Sequence, residues 1–170
     1  MALVVEDGTG KPDATTWATR AELIAWAGAR GITVPDANAA DVNLVKAMDW
    51  LATQDYVGSL LVAEQGTPFP RVAYVAGSDT ELQFPDDEVP AQMKRAQLML
   101  ATAVAQGFEL SAPVSAGPRL KRRKTGPMER EYFDDGGDSR TLALVPGVDG
   151  LIGPFLAGGG GSFKLTVARA

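Results

Sequence analysis

The sequence predicts a mainly α protein: a small bundle of three main helices with a projecting β-hairpin and a flexibly tethered C-terminal strand. Three observations predict it. Thr19-Arg20-Ala21-Glu22 is a capping box, followed by apolar residues at helical spacing and a stop at Gly31. Leu44, Val45, Met48, Leu51 and Ala52 recur with the period of an amphipathic helix. Residues 96–108 carry no charge at all, and their apolar residues fall on two helical faces.

In chain order, Ala2 to Val5 read as a short strand or ordered arm, ended by the turn residues Asp7-Gly8-Thr9-Gly10. The first helix runs over about 19–30, with Leu23, Trp26, Ala27 and Arg30 at helical spacing. Asp36 or Asn38 caps the second, about 36–55, which sets Asn43, Lys46 and Thr53 opposite its apolar set and has Gly58 beyond its end. Residues 58–89, rich in glycine and proline, read as a long ordered loop with room for short strands. Asp86-Asp87-Glu88 and then Val89-Pro90 supply the acidic residues and proline expected at a helix start.

The third helix, about 90–106, carries one stripe of Met93, Ala96, Leu100 and Val104. A second stripe holds Leu98, Ala101, Ala105 and Phe108. Two apolar faces mean two buried faces: a central core helix, or one face to the core and one to a neighbouring subunit. A loop over 111–118 leads to two short strands about Thr125-Gly126-Pro127, with basic residues facing Glu129 and Glu131 across the pair. Gly150 to Leu156 reads as a short, irregular helix or turn. Gly158 to Gly161 with Ser162 form a tether, and Phe163 to Arg169 alternate apolar and polar residues as a strand does. Such a strand either augments another chain or folds onto its own domain. The expected division is one domain over 1–157, hairpin 119–133 included, and an arm over 158–170.

Composition narrows function by exclusion. The 170 residues include no cysteine and no histidine. That removes disulfides, thiolate metal sites, cysteine nucleophiles and the usual neutral-pH general base. The expectation is a binding or structural protein, with no enzyme activity and no cofactor. No stretch reaches the ~20 apolar residues of a membrane span, and MALVVEDGTG lacks the pattern of a signal peptide. The formal charge of −5 hides a strong asymmetry. Residues 1–90 carry 14 acidic and 5 basic side chains, whereas 91–133 carry 3 acidic and 8 basic. An acidic body with one basic segment speaks to partners rather than to fold.

That segment, Arg119 with Lys121, Arg122, Arg123 and Lys124, has two further readings besides phosphate contact. It is a solvated hairpin face, or a contact for an acidic protein surface such as another copy of this chain. No aromatic residue interleaves with it before Tyr132, so a stacking platform for single strands is thin. Gly8-Thr9-Gly10-Lys11 lacks the spacing of a phosphate loop. Asp86-Asp87-Glu88 and Asp134-Asp135 match no calcium loop and read as capping and turn residues. Phe69-Pro70-Arg71 reads as a rigid turn whose guanidinium anchors the loop.

The order of these parts resembles a known family. It is carried by the capped first helix, the second helix ending near Trp50-Leu51 and Tyr56, Phe69-Pro70-Arg71, and Val89-Pro90-Ala91-Gln92-Met93-Lys94-Arg95-Ala96. The series continues with the basic strand, Gly126-Pro127-Met128-Glu129-Arg130-Glu131-Tyr132, and Leu151-Ile152-Gly153-Pro154-Phe155-Leu156. Over about 15–156 it resembles the head–tail connector (adaptor) proteins of tailed bacteriophages, in particular the set often labelled DnaT-like single-stranded-DNA-binding. Phe69 stands where that pattern carries tryptophan.

The resemblance implies a structural subunit, about twelve copies of which form a ring beneath the portal around the DNA channel. Its implied partners are further copies, the portal protein, a downstream neck, stopper or tail-completion protein, and passing double-stranded DNA by weak contact, with no membrane. Its implied place is the virion neck, after assembly in the bacterial host cytoplasm. Carried onto this chain, Phe163, Leu165, Val167 and Arg169 form an arm docking on the portal, or on a neighbouring subunit. Arg119, Lys121, Arg122, Arg123, Lys124 and Arg130 contact a ring partner or DNA. Met93, Leu98, Leu100, Val104 and Phe108 lie on the core or intersubunit helix. The alternative is single-stranded-DNA binding through 119–124.

Overall fold

The structure, a computed structural model, describes residues 3–110, the strands 122–125 and 128–131, residue 145 and residues 147–157. It is mainly helical. Helix α1 spans Arg20–Gly28 and α2 spans Ala37–Ala52. Two-residue strands β1 (Ser59–Leu60) and β2 (Arg71–Val72) pair antiparallel, and α3 spans Ala91–Ala105. Strands β3 (Arg122–Thr125) and β4 (Met128–Glu131) form an antiparallel hairpin. Helix α4 (Val148–Ile152) runs into a 3-10 turn over Gly153–Phe155.

The capping box at α1 is formed: Thr19 accepts from the Glu22 N–H while the Glu22 carboxylate accepts from the Thr19 N–H at 2.7 Å. At α2 the cap is Asp36, which accepts from the Ala39 N–H at 2.7 Å. At α3 the expectation fails. Pro90 is the N-cap and no side chain caps the helix, so Asp86, Asp87 and Glu88 perform no capping there. Pro90 instead uses the fixed φ and missing N–H that suit a helix entrance.

Helix α3 is the central element and packs against α2, α1 and α4. Met93, Leu98 and Leu100 are buried within this single chain, so these three belong to its core. Val104 is half-buried. Phe108 is exposed, because α3 stops at Ala105 and Gly107 turns the chain with a positive φ before Phe108 joins the stripe. On α2 the buried set is Ala40, Asp41, Asn43, Leu44, Ala47, Met48, Trp50 and Leu51. The predicted face is therefore rotated: Asn43 is inside and Ala52 outside. Trp50 and the alanines widen the stripe because α2 meets both α1 and α3.

A polar residue ties this core together. Gln97, fully buried on α3, accepts from the N–H groups of Trp17 (3.0 Å) and Ala18 (3.1 Å). Its Nε2 donates to Thr16 Oγ1 (2.8 Å) and to the Leu44 carbonyl (3.1 Å). All four bonding positions of the carboxamide are used, across three segments distant in sequence. Beside it, Phe69 is fully buried with its ring centroid 5.2–6.0 Å from those of Trp17, Tyr56, Phe84 and Phe155. Arg71 then anchors the loop as its position suggested, donating to the carbonyls of Val57 (2.8 Å) and Gly58 (2.7 Å). Gly58, at φ +73, lies where an added Cβ would stand 2.1 Å from the Val72 carbonyl oxygen.

Candidate functional site

The basic hairpin takes the predicted form. Its register sets Arg122 against Glu131, Lys124 against Glu129, and Arg123 against Arg130. Two of the four register pairs thus match opposite charges, which holds acidic residues within the basic segment. Arg119 and Lys121 lie outside the described residues, as do Phe163, Leu165, Val167 and Arg169 of the arm. The described chain ends beside the α2 exit: Tyr56 bridges Leu156, and the Ala157 N–H donates to the Asp55 carbonyl at 2.8 Å. Ala157, the last described residue, therefore lies next to residues 55–57.

A second arrangement lies between α1 and the start of α3. Glu22, Ala25 and Trp26 face Ala91, Lys94, Arg95 and Leu98 across an open groove of about 390 Å³. The Arg30 guanidinium covers one face of the half-buried Trp26 indole, 3.4 Å from its centroid, and that of Arg95 stands 5.9 Å away. Arg30 also donates to the Trp26 carbonyl at 2.9 Å. Lys94 pairs with Glu22 at 2.7 Å. Burial raises the Glu22 carboxyl, but hydrogen bonds from Lys94 and Thr19 outweigh it and leave it below its ordinary range.

The turn at 7–11 holds a converging set of N–H groups, yet it is already filled. Glu6, buried, accepts from the N–H groups of Gly8 (2.9 Å), Gly10 (2.9 Å) and Lys11 (2.8 Å). The protein's own carboxylate occupies the place a phosphate would take. Lys11 is paired with Asp7 at 2.7 Å, and bonds from Lys11 and Thr9 hold the Asp7 carboxyl at about 2. On the other side, Arg20 grips the buried Asp41 through both carboxylate oxygens, and this hydrogen bonding keeps Asp41 below the usual carboxylate range. Among the described residues no group of three or more acidic side chains is placed to hold a metal ion. None of the described helices is long and apolar enough to cross a membrane.

Eight large hydrophobic side chains are exposed among the described residues: Ile24, Val42, Leu60, Val62, Tyr74, Val75, Leu82 and Phe108. Five come from the loop between α2 and α3, where Tyr74 and Leu82 face each other in an antiparallel bridge. A family model described as "Putative DnaT-like ssDNA binding protein" matches residues 1–170. The chain belongs to this family. No curated protein and no solved structure matches it.

Reading this DnaT-like family member from sequence missed two features. Gln97 sits inside an apolar run, where a lone amide gives no sign of four partners. The Trp26 groove had half a signal, since Trp26 and Arg30 are four residues apart, at helical spacing, although α1 itself ends at Gly28. Arg95 joins them only when α1 and α3 pack.

Proposed function

We propose that this chain is a structural head–tail connector (adaptor) subunit of a tailed phage, built into an oligomeric ring under the portal around the DNA channel. The observation that carries the reading is the exposed apolar set on an acidic body. Eight large hydrophobic side chains in water favour burial against further protein, and most of them lie on one connecting loop. The interior supports the same reading. Four of its buried charged and amide groups, Glu6, Asp41, Gln65 and Gln97, are committed to structural bonds, which leaves the surfaces as the place for partners on this reading. The resemblance of the sequence order to phage connectors is the ground for the partners proposed: further copies, portal, a downstream neck protein, and double-stranded DNA in weak passing contact. On this reading the protein resides in the virion neck and catalyses nothing. The acidic excess of residues 1–90 would keep DNA phosphates from adhering to a channel wall.

Co-sedimentation with purified portal tests this. The full chain is expected to co-sediment, and deletion of Phe163 to Ala170 is expected to leave the melting temperature unchanged while weakening the association. Failure of the full chain to associate at high concentration contradicts the reading. The family description favours a second reading, single-stranded-DNA binding, for which the basic segment of Arg119 and Lys121 to Lys124 is the surface we propose. Affinity for a labelled oligothymidylate at two salt concentrations decides it: binding that persists near physiological salt with a steep salt slope supports this reading, and absence of binding removes it.

A further inference from the structure

We propose that the groove between α1 and α3 receives an acidic peptide segment with a large apolar side chain, supplied by a second copy of this chain. The inference goes beyond the connector reading, because it names a site and an occupant that do not depend on portal or on a ring. Three features of the groove select this ligand chemistry. Its lining is apolar at Ala25, Trp26, Ala91 and Leu98, and its volume of about 390 Å³ admits an aromatic side chain. Two guanidinium groups, Arg30 and Arg95, stand over Trp26, and neither forms an ion pair with a carboxylate among the described residues. The third cation, Lys94, is partly neutralised by Glu22. The groove is thus a cationic, apolar spot on a body whose first ninety residues carry a large acidic excess.

Charge and shape then separate a peptide from a nucleic acid. Arg30 already covers one face of the Trp26 ring at 3.4 Å, so the half-buried indole offers at most its groove-side face, not a platform for successive bases. A polyanion passing through would also meet the acidic surroundings along its length, whereas a short acidic segment meets mainly the local arginines. The chain contains such a segment. Tyr132-Phe133-Asp134-Asp135 sets two aromatic residues beside two carboxylates. The comparable stretch Phe84-Pro85-Asp86-Asp87 has its phenylalanine committed to the core cluster about Phe69.

The probe is a fluorescein-labelled peptide of residues 129–137, titrated with the full chain and read by anisotropy. Saturable binding is expected, weakened at least tenfold by Arg95→Glu, an exposed position whose substitution leaves the melting curve intact. A peptide with both aspartates changed to lysine is expected to lose binding to the natural chain and regain it with Arg95→Glu. Equal loss on changing Tyr132 and Phe133 to serine would place the apolar anchor. No saturable binding, binding indifferent to Arg95→Glu, or displacement of the peptide by a same-charge oligothymidylate at lower concentration overturns the proposal. A chain that binds the peptide but ignores portal retains this site and loses the connector reading, so the two failures are distinct.

Discussion

Replacing Gln97 with leucine tests whether the bundle depends on a single amide. The change keeps volume and apolar packing but removes all four hydrogen bonds. The Trp17 backbone N–H then has no acceptor, since Gln97 is its partner, whereas the Ala18 N–H keeps Thr16 Oγ1 at 3.2 Å. The Leu44 carbonyl and Thr16 hydroxyl each lose a donor but keep other partners within their segments. One fully orphaned buried donor costs about 1–3 kcal/mol, and the weakened bonds bring the total to about 2–4 kcal/mol. For a chain of this size that is a fall in melting temperature of roughly 5–15 °C. Thermal melts followed by circular dichroism measure it, with the exposed Gln92→Leu on the same helix as control, expected within about 0.5 kcal/mol of the natural chain. Gln97→Glu adds a check of sign. Its carboxylate accepts from Trp17 and Ala18 but cannot donate to Leu44, so that variant is expected to gain stability as pH falls and the group takes up a proton. Gln97→Leu matching the natural chain in stability would refute the clamp.

Other expectations follow from the same structure. With no histidine, melting temperature should stay level from about pH 6 to 8.5. It should fall below about pH 4: Asp41, Asp7 and Glu22 have lowered folded values, so their stabilisation is complete above the unfolded carboxylate range and is lost as pH drops through the folded ones. A steep change between pH 6 and 8 would contradict this. Gly58→Ala forces a Cβ against the Val72 carbonyl at a positive φ and should destabilise strongly, whereas Gly28→Ala, with open space around it, should be neutral or stabilising by up to about 1 kcal/mol. Paired denaturant melts separate these outcomes, and equal effects at both glycines would refute the close approach.

The helices were legible because their signals are local. The Thr19 and Glu22 box, the Asp36 cap and the apolar periods each fix an element within a few residues. The hairpin was legible for the same reason, from Thr125-Gly126-Pro127 between charged strands. What escaped depends on tertiary packing. Asn43 reads as a surface residue until α2 is flanked by both α1 and α3. Asp86 to Glu88 read as capping residues, but the chain enters α3 at Pro90 with no side-chain cap. The stripe through Phe108 fails because Gly107 turns the chain one residue too early. Of the site residues, Met93, Leu98 and Leu100 were legible as buried, although periodicity alone left open whether a second subunit did the burying. The pairing of Trp26 with Arg95 spans some seventy residues, and no local pattern carries it.

The central claim, that the surfaces of this chain exist to assemble it, is tested most directly by imaging the full-length protein mixed with purified portal. Electron micrographs should show a closed ring of subunits seated on the portal, with the basic hairpins in contact with a neighbouring surface. Monomers dispersed beside bare portals at high concentration would contradict it.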